Sequence, residues 1–189
     1  MCFYYNVMNS IKEQKKELRK LIKTQKGLYN NEERINQSKK VFSEIESLPL
    51  FANAKTVLAY WSLPDEIQTH SFIEKWYKHK TIILPLVVGD TLELKIYTGP
   101  ECMEEGPSYG ILEPKNGVAY TNLNIDLGII PGMAFDLQGN RLGRGKGYYD
   151  KLLKKMNMKT IGVCFSFQLV EKVPSDTFDI AMDSVICPQ

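Results

Sequence analysis

Ile125-Asp126-Leu127-Gly128-Ile129-Ile130-Pro131-Gly132, then Gly139-Asn140-Arg141-Leu142-Gly143-Arg144-Gly145-Lys146-Gly147-Tyr148-Tyr149-Asp150, then Thr160-Ile161-Gly162-Val163-Cys164-Phe165, is the stretch on which the fold turns. An apolar run short enough for a buried strand ends at Pro131-Gly132, and a glycine-rich turn follows it. A helix is predicted from about Tyr148 to Met156, and another buried strand begins at Thr160. Inside the turn, Gly143, Gly145 and Gly147 alternate with Arg144 and Lys146, and Asp150 follows three residues after the last glycine. Glycines let the backbone approach a ligand closely and adopt φ > 0, so several amides can face one anion. The cations add full charges, and Asp150 can hold the metal that accompanies such an anion. The pattern reads as a triphosphate cradle, and a glycine-rich surface turn with solvated cations is the alternative.

Two familiar phosphate loops are excluded. A P-loop needs glycine five residues before Gly145 and Ser or Thr after Lys146, but Asn140 and Gly147 stand there. The dinucleotide fingerprint fails because the spacing is G-x-G-x-G and the loop is strongly cationic.

Working outward, Ser10-Ile11-Lys12-Glu13 is a capping box opening a helix that stops at Gly27, with Leu18, Leu21 and Ile22 as its apolar stripe. A second helix starts at Asn31-Glu32-Glu33, turns Val41, Phe42, Ile45 and Leu48 inward, and ends before Pro49. Thr56 to Trp61 reads as a buried strand, and a third helix from Thr69 buries Phe72, Ile73, Trp76 and Tyr77. Thr81-Ile82-Ile83-Leu84 starts a strand in which Pro85 predicts an edge or a bulge. Gly89-Asp90 is a hairpin turn into the alternating strand Leu92 to Tyr97. Residues 99–117 are turn-rich and expected to line the site, and Asp183 to Cys187 forms a short terminal strand. The expectation is one three-layer α/β domain over residues 1–189, with a mostly parallel sheet, one antiparallel hairpin and helices on both faces. Ligands in such sheets sit beyond the carboxyl ends of the strands, where the segments after Ile130 and Trp61 and the stretch before Asp183 can converge.

Composition narrows the function classes. A hydrophobic share of 43% in 189 residues suits one globular core. The net charge of +2 gives no general attraction to nucleic acid or membrane; the positive charge is local, in Lys12 to Lys26 and Arg141 to Lys146. Cys2, Cys102, Cys164 and Cys187 lie far apart, with neither zinc-ligand nor disulfide-framework spacing, which points to idle thiols in a reducing cytoplasm. No apolar run is long enough for a membrane span. Residues 1–9 are expected to be a disordered or dispensable leader, with Met8 a candidate alternative start.

The longer string from Pro131-Gly132-Met133-Ala134-Phe135-Asp136 through Gly139 to Asp150 resembles the signature of the 5-formyltetrahydrofolate cyclo-ligase (methenyltetrahydrofolate synthetase) family. The resemblance extends over most of the chain. It takes in Lys15-Lys16-Glu17-Leu18-Arg19, Trp61-Ser62-Leu63-Pro64-Asp65-Glu66-Ile67-Gln68-Thr69, Tyr109-Gly110-Ile111-Leu112-Glu113-Pro114 and Met182-Asp183-Ser184-Val185. It implies conversion of 5-formyltetrahydrofolate, which can carry polyglutamate, and ATP into 5,10-methenyltetrahydrofolate, ADP and phosphate, by a cytoplasmic monomer that uses Mg²⁺. It further implies that Lys15, Lys16, Glu17, Leu18 and Arg19 contact the nucleotide. Arg141, Leu142, Gly143, Arg144, Gly145, Lys146, Gly147, Tyr148 and Tyr149 would form the ATP loop, with Arg144 to Tyr148 also touching the folate. By the same resemblance Asp150 and Asp183 would hold magnesium.

The residues bear their own reading beside it. Lys15 and Arg19 share a helix face, which unaided is a solvated basic face. Glu66 can accept the adjacent N–H and amino group of a pterin, and Trp61 can wall its ring or simply pack in the core. Gln68 stands where the family pattern often has an acid or Asn, which predicts tuned folate affinity. Arg144 and Lys146 are the expected catalytic clamp on the γ-phosphate. His70 and His79 share no helical face and read as ordinary helix residues. Neither G-x-S-x-G nor H-E-x-x-H occurs. Two rivals are a phosphosugar-isomerase or CoA-transferase relative, needing a catalytic Glu or Asp–His arrangement, and a small nucleic-acid-binding protein, which the near-zero net charge disfavours.

Overall fold

A computed structural model describes residues 10–106 and 112–188. The expected leader at residues 1–9 and the segment Tyr109 to Ile111 lie outside the described residues. In chain order the helices are α1 (Ile11–Lys26), α2 (Asn31–Ser47), α3 (Pro49–Asn53), α4 (His70–Trp76) and α5 (Tyr148–Leu153). The strands are β1 (Thr56–Leu58), β2 (Thr81–Val88), β3 (Thr91–Ile96), β4 (Glu104–Glu105), β5 (Leu112–Glu113), β6 (Val118–Ala119), β7 (Asn124–Pro131), β8 (Ala134–Phe135), β9 (Arg141–Leu142), β10 (Asn157–Val163) and β11 (Ser184–Ile186).

Seven strands form one sheet in the order β11-β10-β7-β1-β2-β3-β6. The first five of that order run parallel, and β3 and β6 are antiparallel additions. Successive residues alternate between two cores, as the strand period requires. Val57, Ile82, Ile129 and Val163 face α2, α3 and α4 through Val41, Phe42, Ile45, Phe51, Phe72 and Ile73. Leu58, Ile83, Ile130 and Cys164 face the other side, where α5 contributes Leu152 and Leu153. This is the expected three-layer arrangement with one hairpin. No helix among the described residues is long and apolar enough to cross a membrane.

Pro85 sits mid-strand in β2, between two neighbours, rather than at an edge or bulge. The backbone pattern explains it. Tyr97 N–H donates to the Ile82 carbonyl, so even-numbered residues of β2 bond to β3 and odd-numbered ones face β1. The three-residue β1 pairs no further than Ile83, so Pro85 loses no ladder bond. Other boundaries shift modestly: β1 stops at Leu58, α5 stops at Leu153, and β10 begins at Asn157.

α1 has its capping box, with Glu13 N–H donating to Ser10 Oγ and the Glu13 carboxylate accepting from Ser10 N–H. Its inward stripe differs from the expected one: Leu21 is half exposed, while Lys15, Leu18, Arg19, Ile22 and Lys26 are the residues turned in. Ile22 is fully buried against Met133, Ala134, Leu142 and Val173, which docks α1 on the hairpin of β8 and β9. That hairpin is organised by the fully buried Asp136, whose carboxylate accepts from the N–H groups of Gln138, Asn140 and Val173 and from Asn140 Nδ2.

Candidate active site

Beyond the carboxyl end of β7 lies a cavity of about 410 Å³ walled by Gly143 to Asp150, with Pro131, Gly132, Arg141 and Leu142 at its base. Lys15 and Arg19 reach it from α1, Glu66 from the loop after β1, Val87 from β2, and Asp179 from the segment before β11. Five cations and three carboxylates therefore line it. The described residues of 99–117 do not line it. Val87 at the end of β2 takes that place, and the hairpin turn beyond it braces the loop, with Tyr148 Oη donating to the Gly89 carbonyl at 3.4 Å and Lys151 Nζ to that of Asp90 at 3.0 Å.

The loop's path depends on its glycines. Gly145 has φ +109° and Gly147, which caps α5, has φ +69°, both in the range that side chains oppose. Gly143 is not in that range, but Arg19 Nε donates to its carbonyl at 2.9 Å, tying the loop to α1. Arg141 is buried: Nη2 donates to Asp150 Oδ1 at 2.9 Å, while its Nε is buried with no acceptor. Arg144 bridges the mouth, with Nε and Nη2 donating to Glu66 Oε1 at 3.1 and 2.7 Å and Nη2 also to Asp65 Oδ1 at 3.0 Å. Lys146 is exposed and pairs with no carboxylate among the described residues. Tyr149 is pushed up in pKa by burial and by the Glu66 charge, so its hydroxyl stays protonated.

Not every expected residue meets at this cavity. Lys15 lines it, but its ammonium already bonds Asp176 at 2.7 Å and Asp179 at 2.6 Å. Burial works against that charge, and the two carboxylates outweigh it, holding the Lys15 pKa above its ordinary value. Lys16 and Glu17 are exposed on the outer side of α1, and Leu18 packs under it beside Ile22. Trp61 is not a wall of the cavity. Its ring stacks on His70 at 4.1 Å and on Tyr97 at 5.8 Å, against the main core. Burial lowers the His70 pKa, so a neutral imidazole covers the indole, and its Nε2 sits 3.1 Å from the Ser62 carbonyl.

Asp183 lies apart from Asp150. Ser184 is level with Ile161, and Ile161 with Ile129, which places Asp183 short of the carboxyl ends at Val163 and Pro131. Its oxygens accept from Thr160 N–H and Oγ1, both at 2.8 Å, and from Lys159 Nζ at 3.0 Å. It therefore clamps the β10–β11 pair. Among the described residues no group of three or more His, Cys, Asp or Glu is arranged to hold a metal. Asp150, one of three carboxylates lining the cavity, could hold Mg²⁺, which takes one or two carboxylates and completes its shell with phosphate and water.

The residues missed from sequence are those that hold the site. Lys26 and Asp65 form a pair at 2.9 Å behind Arg144. Asp176 and Asp179 neutralise Lys15. Charge at Lys15, Arg19 and Lys26, on the same helix stripe as Ile22, was the available signal for Lys26.

Comparison with known proteins gives these arrangements a setting. Residues 11–188 match the family model described as the 5-formyltetrahydrofolate cyclo-ligase family. The structure of the Aquifex aeolicus 5,10-methenyltetrahydrofolate synthetase is similar, with a TM-score of 0.83 and 39% identity over 92% of this chain and 89% of that one. The mouse 5-formyltetrahydrofolate cyclo-ligase is 29% identical over 94% of this chain and 95% of its own length. The Haemophilus influenzae protein of that name is 31% identical over 70% of this chain and 75% of its own length.

Proposed function

Since the chain belongs to the 5-formyltetrahydrofolate cyclo-ligase family and is an enzyme of that class, we propose that it uses ATP and Mg²⁺ to convert 5-formyltetrahydrofolate into 5,10-methenyltetrahydrofolate, ADP and phosphate. The observation that carries the reading is the single cavity lined by Gly143 to Asp150, Arg19 and Glu66. A glycine-rich cationic loop beside the Glu66 carboxylate supports the reading, since the loop would take the phosphates and Glu66 the pterin edge.

The chemistry asks for such a site. A formamide resists attack by a neighbouring amine because its oxygen is a poor leaving group. Transfer of the γ-phosphoryl group to the formyl oxygen makes that oxygen expellable as phosphate. N10 of the same folate then attacks the formyl carbon, the C–O bond breaks with departure of phosphate, the N10 proton passes to solvent or to that phosphate, and the ring closes. The closure is intramolecular and therefore has a high effective molarity. No covalent nucleophile is required. What the protein supplies is charge and aim.

Lys146, unpaired by any carboxylate among the described residues, and Arg19 are the cations most available to phosphate oxygens. Arg144 is about half exposed, so solvent screens its pairs with Glu66 and Asp65 in part. A pterin that engages Glu66 can therefore release Arg144 from it toward the polyphosphate. Arg141 at the base of the cavity is tied to Asp150 and adds fixed positive charge there. Asp150 would hold Mg²⁺, which when bound neutralises phosphate charge as the phosphoryl group moves.

The test is spectroscopic. The methenyl product absorbs in the near ultraviolet, so purified protein with 5-formyltetrahydrofolate should develop that band with ATP and Mg²⁺ together and not when either is left out. A band independent of ATP, or none at all, overturns the reading.

A further inference from the structure

Behind the proposed clamp runs a chain of charges that the reaction itself does not require. Lys26, in the last turn of α1, is 5% exposed, and its ammonium donates to Asp65 Oδ2 at 2.9 Å. The other oxygen of Asp65 accepts from Arg144 Nη2 at 3.0 Å. The backbone around the pair is tied as well: Arg34 donates to the Lys26 carbonyl at 2.6 Å and to that of Pro64, next to Asp65, at 3.4 Å. Burial works against the Asp65 charge, but Lys26 and Arg144 outweigh it and keep the carboxylate ionised.

We infer that Asp65, anchored by the buried Lys26, is a positioning residue that keeps Arg144 over the cavity once the folate has taken Glu66, and so couples the binding of the two substrates. This rests on the function proposed above. In the free protein Arg144 is held twice, by Glu66 and by Asp65. With nucleotide alone, Glu66 still holds it. When a pterin engages Glu66, only Asp65 remains, and a half-exposed arginine without it is free to leave the phosphates. The pair Asp65–Lys26 thus matters in the ternary complex and little in the binary one. Such a coupling is reciprocal between the ligands.

The experiment measures the affinity of a non-hydrolysable ATP analogue with Mg²⁺, in the absence and presence of saturating 5-formyltetrahydrofolate. For Asp65→Asn, binding of the analogue alone should match wild type within about twofold, and binding in the presence of folate should weaken about tenfold, the worth of one charge-assisted hydrogen bond. Lys26→Met should behave likewise and Lys26→Arg should restore coupling, with the thermal midpoint reporting whether each variant is folded. Equal weakening with and without folate makes the pair merely structural and overturns the inference, as does no weakening in Asp65→Asn. Wild-type protein that makes no methenyl product overturns the functional reading, and this inference with it. A wild type that turns over normally beside an unaffected Asp65→Asn removes the inference alone.

Discussion

Lys146 is exposed, flanked by two glycines at positive φ, and pairs with no carboxylate among the described residues. Its neighbours Arg141 and Arg144 are already engaged by Asp150, and by Glu66 and Asp65. An uncommitted ammonium on this loop has no ion pair to break before it meets a phosphate, which separates Lys146 from Lys15, Arg141 and Arg144. Removing one preorganised charge-stabilising donor typically lowers turnover about 10²–10³-fold. Lys146→Ala should show a loss of that order in kcat, with folate KM little changed. Steady-state kinetics at saturating folate would check it, and near-normal turnover would take Lys146 out of the clamp.

At the scale of elements, α1 is the part that carries cations to a loop more than a hundred residues away in sequence. Its hold is narrow. Only Ile22 is fully buried among its apolar residues, with Leu18 half-buried beside it. Truncating a buried isoleucine to alanine costs about 2–5 kcal/mol through lost burial and a residual cavity. Ile22→Ala should destabilise the protein by that order in urea titration. It should also raise the KM for ATP more than that for folate, because Arg19 lies three residues earlier on the same face. A purely global effect, with both KM values moving together, would show that α1 does not serve the nucleotide in particular.

For the whole molecule, stability against acid rests on aspartates that knit distant segments. Asp126 accepts from the N–H groups of Thr56 and Lys55, which hold its carboxyl below the usual range. Asp176 is lowered chiefly by Lys15, and Asp183, against its partial burial, by Thr160 and Lys159. Each folded value is depressed relative to about 3.9 in the unfolded chain. The stabilisation is therefore fully present above about pH 5 and is lost as pH falls through the folded values. Unfolding free energy should fall slightly from about pH 7 to 5, because burial of His70 keeps the fold from taking the proton that the unfolded chain binds, and decline further below about pH 4. Asp126→Asn, measured by circular dichroism across that range, should have a shallower acid decline. The raised Lys15 pKa has the opposite sign, and its contribution persists until pH rises beyond about 10.4, the ordinary lysine value.

Periodicity, caps and punctuation are local properties, so the sequence alone determined the order of the main elements and the three-layer class, though not the short α3 or the two-residue strands β4, β5, β6, β8 and β9. The same holds for the α1 capping box, the Gly89-Asp90 turn and the glycine loop, and the motif that marks the family. Pro85 showed the limit of that reading: its missing donor is harmless only because β1, a strand elsewhere in the chain, ends opposite Ile83. Tertiary structure alone decided which charged groups are spent on one another. Nothing local tells that Arg144 meets Glu66 and Asp65, that Lys26 lies behind them, or that Lys15 faces Asp176 and Asp179. Nor does it tell that Trp61 stacks on His70 instead of facing the cavity, or that Asp183 clamps Thr160. The physical reason is range. Backbone preference is set by a few neighbouring residues, whereas the energy of a charge or an aromatic ring is set by whatever the folded chain places within a few ångströms of it.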